Sequence, residues 1–133
     1  MPDIIGTAND DTLIGSNGAD SIEGAQGNDR LLGEYDDDTL IGGTGNDTMT
    51  GGAGSDLLRF ETASGYDVVM DFQGGARGDL IDLVGTGIHT FAQAQAAMTQ
   101  QGADVVLDLG GGSQVQFLNT LLADFDASRF SYG

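Results

Sequence analysis

Apolar residues recur every nine positions along the first part of the chain: Leu13, Ile22, Leu31, Leu40, Met49 and Leu58. Each follows an aspartate by two residues (Asp11, Asp20, Asp29, Asp38, Asp47, Asp56) and a glycine by seven (Gly6, Gly15, Gly24, Gly33, Gly42, Gly51). Six consecutive nine-residue units therefore tile residues 6–59 without an insertion, GGTGNDTMT and GGAGSDLLR being the most regular. A fixed internal period of this kind is the signature of a solenoid. Positions one to six of each unit, rich in Gly, Asn and Asp, predict a tight turn. Positions seven to nine predict a three-residue strand whose central side chain faces away from its two neighbours. The fourth position holds Gly18, Gly27, Gly45 or Gly54, with Asn9 and Asp36 in the other two units. These residue types tolerate positive φ, so a left-handed residue is expected there in every turn.

Two units make one coil of 18 residues, and stacked coils make two parallel sheets around a thin aliphatic core. The expected fold is all-β: a right-handed parallel β-roll, or β-solenoid. Stacking also sorts the aspartates into two columns, Asp11, Asp29 and Asp47 on one edge and Asp20, Asp38 and Asp56 on the other.

Composition changes the picture at this point. The 133 residues include 18 Asp, 3 Glu, 4 Arg, no Lys and 23 Gly, for a formal charge of −17. So acidic a chain usually stays disordered, but disorder does not space leucines at a fixed interval. Aspartates on adjacent coils lie roughly 5 Å apart, the spacing of strands in a sheet. At an effective dielectric near 20, two carboxylates at that distance repel by about 3 kcal/mol. Several such contacts exceed the usual stability of a small domain, about 5–15 kcal/mol, and ordering glycine-rich turns adds to the cost. A divalent cation between stacked aspartates reverses the sign of the problem. Calcium fits best, because it takes carboxylates and backbone carbonyls in irregular geometry. Zinc does not, with no cysteine and His89 as the lone histidine. The acidity also excludes nucleic acid as a partner, since phosphates need Lys and Arg. No apolar run reaches membrane-spanning length. The segment Met1–Gly6 has neither a basic nor an apolar region of the kind a cleaved leader needs.

The repeat resembles that of the RTX (repeats-in-toxin), or haemolysin-type, calcium-binding proteins, whose nonapeptide reads Gly-Gly-x-Gly-x-Asp-x-U-x. The resemblance implies that each sixth-position aspartate is a Ca²⁺ ligand together with turn carbonyls: Asp11, Asp20, Asp29, Asp38, Asp47 and Asp56. At least four sites would be shared, by Asp11/Asp29, Asp29/Asp47, Asp20/Asp38 and Asp38/Asp56. The sequence departs from the family pattern at position two, with Thr7, Ser16, Ala25 and Glu34, and at position four, with Asn9 and Asp36. Weaker binding is therefore expected in the first coils. Residues 60–83 resemble the family's degenerate exit from the roll. There Thr62–Val69 continue a seventh unit and Gly74–Asp82 a worn eighth, which adds Asp67 and Asp79 as ligands or, alternatively, as turn caps.

Residues 1–83 are accordingly expected to form the roll and residues 84–133 a cap. In the cap, Phe91–Met98, continuing to Gln101 and ended by Gly102, predicts a helix. Asp104–Leu109 and Ser113–Leu118 flank a triple glycine and predict a β-hairpin. Leu121, Leu122 and Phe125 suggest a helical turn. Seven of the nine Phe and Tyr residues follow residue 65, as a segment sealing the open core of a repeat array requires. This stretch is similar to the C-terminal segments of secreted RTX proteases and exoproteins, which implies a signal read by type I secretion machinery and a secreted, extracellular location. The expected role is a calcium-binding module that folds on meeting calcium outside the cell.

No catalytic machinery is expected, since the chain holds neither His-Glu-x-x-His nor Gly-x-Ser-x-Gly. One alternative is the detached C-terminal domain of a secreted protease, lipase or epimerase. Another is an adhesive or ice-binding solenoid, although Gly43-Thr44-Gly45-Asn46-Asp47 is a single suitable unit rather than a row. The ninth-position residues Ile14, Leu32 and Ile41 face away from the core and offer an apolar surface for self-association.

Overall fold

A computed structural model of the chain describes residues 3–61, 64–72, 78–83 and 85–132. The nine-residue units form the strands β2 (Thr12–Ile14), β3 (Ser21–Glu23), β4 (Arg30–Leu32), β5 (Thr39–Ile41), β6 (Thr48–Thr50) and β7 (Leu57–Arg59). A strand that the repeat count left out precedes them, β1 (Asp3–Ile5), and places Ile4 opposite Ile22. The two worn units supply β8 (Tyr66–Val69) and β9 (Leu80–Asp82). Thr62, Ala63 and 74–77, which belong to those units in the sequence reading, lie outside the described residues.

Alternate strands belong to alternate sheets. One sheet runs β1-β3-β5-β7-β9, and β2-β4-β6-β8 form part of the other, every neighbouring pair being parallel. The register advances by one coil at each step, pairing Leu13 with Leu31 and Leu31 with Met49, and Ile22 with Leu40 and Leu40 with Leu58. Ile22, Leu31, Leu40, Met49, Leu58, Val69 and Ile81 are all buried between the sheets. The regular three-residue strands each bury only their central residue, so two facing files of side chains, one from each sheet, make the aliphatic core of the roll, with Ile4 and Leu13 packed against it. Of the ninth-position residues, Ile14 is exposed, while Leu32 and Ile41 are half-buried.

The C-terminal segment does not stand apart from the roll but extends both sheets. Following α1 (Phe91–Ala97), the strands β10 (Met98–Gln101), β11 (Asp104–Gly110) and β12 (Ser113–Phe117) form an antiparallel meander, and β12 joins β8 in parallel. Two 3₁₀ turns, η1 (Leu122–Asp124) and η2 (Ala127–Arg129), lead to β13 (Phe130–Ser131), which pairs with β9. Phe72, Phe117 and Phe125 pack against one another with ring centroids 4.6–5.3 Å apart, and Phe60 and Phe130 flank them. These rings cover the C-terminal end of the aliphatic core.

The predicted helix is shorter than expected. It starts where Thr90 accepts a hydrogen bond from the Gln93 amide, but it stops at Ala97 instead of continuing to Gln101. Met98 to Gln101 pair along their whole length with β11, and Met98 is buried. Pairing the β11 edge and burying Met98 outweigh the helix propensity of the glutamines, which is a weak prior. Gly102, expected to end the helix, has φ +62° and instead makes the turn between β10 and β11.

Candidate metal centre

The turns owe their shape to two separate rows of glycine. At position one the requirement is space. A Cβ on Gly24, Gly33, Gly42 or Gly51 would fall on the Oδ2 of its own unit's aspartate (Asp29, Asp38, Asp47 or Asp56), nearer than real Cβ atoms approach. At positions two and four the requirement is positive φ, seen at Gly43 (+86°), Gly45 (+108°), Gly52 (+86°) and Gly54 (+115°). Ala25 (+76°), Glu34 (+81°) and Asp36 (+67°) adopt the same conformation without being glycine. The carbonyl oxygens of Ala25, Gly27, Glu34 and Asp36 occupy the place a Cβ would take at the same positions one coil on, Gly43, Gly45, Gly52 and Gly54. Each turn thus stacks a carboxylate and two carbonyl rows on the next.

The fourth-position pattern predicts a left-handed residue in every turn, and the structure corrects this. Gly27, Asp36, Gly45 and Gly54 adopt it, but Asn9 and Gly18 do not. In those first two units a hydroxyl at position two organises the turn differently. The Asn9 amide donates to Thr7 Oγ1 (3.1 Å) and the Gly18 amide to Ser16 Oγ (3.3 Å).

All eight sixth-position aspartates fall into two continuous columns. Asp11 and Asp20 head the columns, and Oδ1 of each of the other six accepts a hydrogen bond from the backbone N–H of the aspartate one coil earlier. Asp29 accepts from Asp11 (2.8 Å), Asp47 from Asp29 (2.9 Å) and Asp67 from Asp47 (2.9 Å). In the other column Asp38 accepts from Asp20 (2.8 Å), Asp56 from Asp38 (3.0 Å) and Asp79 from Asp56 (3.0 Å). The four pairs expected to share sites are each joined in this way, and Asp67 and Asp79 extend the columns. Asp20, Asp29, Asp38, Asp47, Asp56, Asp67 and Asp79 are buried, and Asp11 is half-buried.

The second oxygen sets the chemistry of the columns. Oδ2 of Asp29, Asp38, Asp47, Asp56 and Asp67 is buried with no hydrogen-bond partner. A buried carboxylate oxygen without a donor is costly, and the cost shows in the acidities. Burial raises the pKa of Asp29 and pushes Asp38 and Asp47 up to about 6 and Asp56 and Asp67 up to about 7. The backbone N–H bonded to each works in the opposite direction, and the neighbouring aspartates of the column raise the values further. Among the described residues no three acidic or histidine side chains converge on one point. A cation here would have to combine carboxylates with turn carbonyls, the ligand set calcium accepts and zinc does not.

Sequence reasoning missed a second ladder beside the first. At position five, Asp10 Oδ1 accepts from the Asn28 amide (2.7 Å), Asn28 Oδ1 from Asn46 (2.8 Å) and Asn46 Oδ1 from Tyr66 (2.9 Å). Asp37 does the same for Ser55 (2.7 Å). The signal was present, as Asp or Asn at position five in four of the six units. Asp71 was also missed; it accepts from the amides of Gly51 (2.9 Å) and Gly52 (2.8 Å) and lies outside the nine-residue frame. Buried Asp82 pairs with Arg59 at 3.0 Å.

Fold and turn chemistry together define a calcium-binding parallel β-roll. Residues 3–31 and 32–62 match the family of the RTX calcium-binding nonapeptide repeat (4 copies). The repeat array belongs to that family, and its repeats bind calcium at multiple sites. Among solved structures, the chain is similar to the extracellular lipase LipA from Serratia marcescens, at 26% identity and a TM-score of 0.80. That match covers 98% of this chain and 21% of the lipase, so the chain spans about a fifth of it. The AlgE6R2 subunit of the Azotobacter vinelandii mannuronan C5-epimerase is similar over 98% of this chain and 92% of its own, at 25% identity and a TM-score of 0.77. The AlgE6R3 subunit gives 27% identity and a TM-score of 0.72 over 94% of this chain and 79% of its own. No curated protein sequence matches the chain. Among the described residues no helix is long and apolar enough to cross a membrane.

Proposed function

We propose that the chain is a calcium-switched folding module, in which Ca²⁺ supplies the counter-charge that lets the two aspartate columns stack. The observation that carries this reading is the row of buried Oδ2 atoms on Asp29, Asp38, Asp47, Asp56 and Asp67 that no donor satisfies. These five aspartates, with Asp79 at the end of its column, are the proposed side-chain ligands. Asp11 and Asp20 head the two columns, and their carboxylates are bonded differently.

Residues 1–83 would act as the calcium-binding roll and residues 84–133 as its cap and as an export signal for type I secretion machinery. In a calcium-poor cytosol the uncompensated carboxylates keep the roll unfolded, which suits threading through a channel. Extracellular calcium modules bind with Kd of about 10⁻⁴–10⁻³ M, so folding would follow release, with binding energy acting as folding energy. Similarity to a stretch of an extracellular lipase and to epimerase subunits supports a module that accompanies secreted enzymes. The test is a calcium titration followed by far-UV circular dichroism. A β signal that appears at millimolar calcium and vanishes in EGTA supports the switch; an unchanged spectrum in excess EGTA would sink it.

A further inference from the structure

We propose that Asp11 and Asp20 are not calcium ligands, and that the hydroxyls of Thr7 and Ser16 stand in the cation's place in the first coil. Calcium loading then begins at Asp29 and Asp38. The inference rests on the calcium reading of the later coils.

Three observations separate the first coil from the rest. The first is the bonding of the carboxylates. Asp11 Oδ2 accepts from the Thr7 amide (2.6 Å) and the Thr7 hydroxyl (2.9 Å). Asp20 Oδ2 accepts from the Ser16 amide (2.5 Å) and the Ser16 hydroxyl (3.0 Å), and its Oδ1 lies 3.2 Å from the same hydroxyl. Asp20 is fully buried, yet both its oxygens have donors, whereas Oδ2 of equally buried Asp38, next in its column, has none. The second is the backbone: Thr7, Asn9, Ser16 and Gly18 keep ordinary φ, while the following four units turn left-handed at positions two and four. The third is the sequence, since only these two units carry a hydroxyl at position two; the others have Ala25, Glu34, Gly43 and Gly52.

Chemically the hydroxyl does two jobs at once. It donates to the carboxylate of its own unit and accepts the amide two residues on, so each turn closes on itself without a metal. A calcium ion entering there would have to displace two donors, an amide and a hydroxyl, from each carboxylate. In the later turns it meets an oxygen with nothing to displace.

Native mass spectrometry of the full chain with calcium chloride counts the bound ions. Asp11→Asn and Asp20→Asn should bind as many ions as the wild type, while Asp38→Asn and Asp47→Asn bind fewer. Loss of an ion from Asp20→Asn equal to that from Asp38→Asn would overturn the proposal. The double variant Thr7→Gly/Ser16→Gly removes both hydroxyls and restores the repeat's usual glycine, so it should take up at least one more ion than the wild type. An unchanged or lower count in that variant also contradicts it. Wild-type protein that binds no calcium would instead refute the calcium reading of the whole roll.

Discussion

At the scale of single residues, each turn position is fixed by a separate physical demand, and substitutions should sort accordingly. Gly24 is constrained by space, with Asp29 Oδ2 and the Gly42 carbonyl both on the site of its Cβ. Gly24→Ala should cost about 1–3 kcal/mol, the usual penalty of overpacking. Gly18 has open space around it and an ordinary φ, so Gly18→Ala should leave the melting temperature of the calcium-loaded protein nearly unchanged. Glu34 has the opposite problem, holding a left-handed φ of +81° with a side chain attached. Glu34→Gly should raise stability by about 1 kcal/mol, relieving the left-handed penalty of an L-residue and offsetting the entropy cost of glycine. Thermal melts in calcium check all three. The six aspartates from Asp11 to Asp56 were legible in the sequence because their nine-residue period is unbroken. The altered first coil was legible only as a departure from pattern, because the three-dimensional role of Thr7 and Ser16 depends on the carboxylate four residues on.

At the scale of elements, the roll and the cap differ in how far local sequence decides them. Strands β2 to β7 follow from the nine-residue frame, since each must place its central side chain between the sheets. The cap hairpin was equally plain, because β12 buries Ser113, Val115 and Phe117 in alternation. The end of α1 was not, because it depends on Met98–Gln101 pairing with β11, a contact that helix propensity along 91–101 does not register. The pairing of β13 with β9 was hidden for the same reason, two residues being too few to carry a pattern. One residue ties the cap together: Gln100 Nε2 reaches the carbonyls of Gly102 (3.1 Å), Asp104 (2.9 Å) and Thr120 (3.1 Å), and its Oε1 accepts from the Leu122 amide (3.0 Å). Gln100→Ala should cost about 1–3 kcal/mol through the groups left unbonded. Hydrogen exchange at Leu122 should rise well before that of the β5 and β6 amides. Equal acceleration throughout the chain would show that cap and roll open as one unit.

At the scale of the whole molecule, the formal charge of −17 is distributed so that much of it is buried in two columns. With the proposed ligand set, protons and calcium compete for the same oxygens. A carboxyl with a higher pKa folded than unfolded binds protons better in the fold, so protonation stabilises the fold. For Asp38, Asp47, Asp56 and Asp67 this stabilisation is complete below the ordinary value of 3.8 and is lost as pH rises through about 6 to 7. In EGTA, therefore, acidification from pH 8 to pH 5 should favour the roll, and because folding then takes up protons as well as calcium, the calcium needed for half-folding should fall over the same range. Circular dichroism across that pH range, with and without calcium, reads both effects; a metal-free signal that weakens on acidification would contradict the burial of these groups.

The central claim is that calcium belongs to the fold as its counter-charge instead of decorating a finished one. Small-angle scattering of the full chain at neutral pH tests it most directly. With millimolar calcium the radius of gyration should be about 14 Å, the value for a compact chain of this length, and in EGTA it should approach about 38 Å. Raising sodium chloride in EGTA should not restore the compact value, because screening supplies no ligand for a buried oxygen. A radius near 14 Å in EGTA at neutral pH would contradict the account.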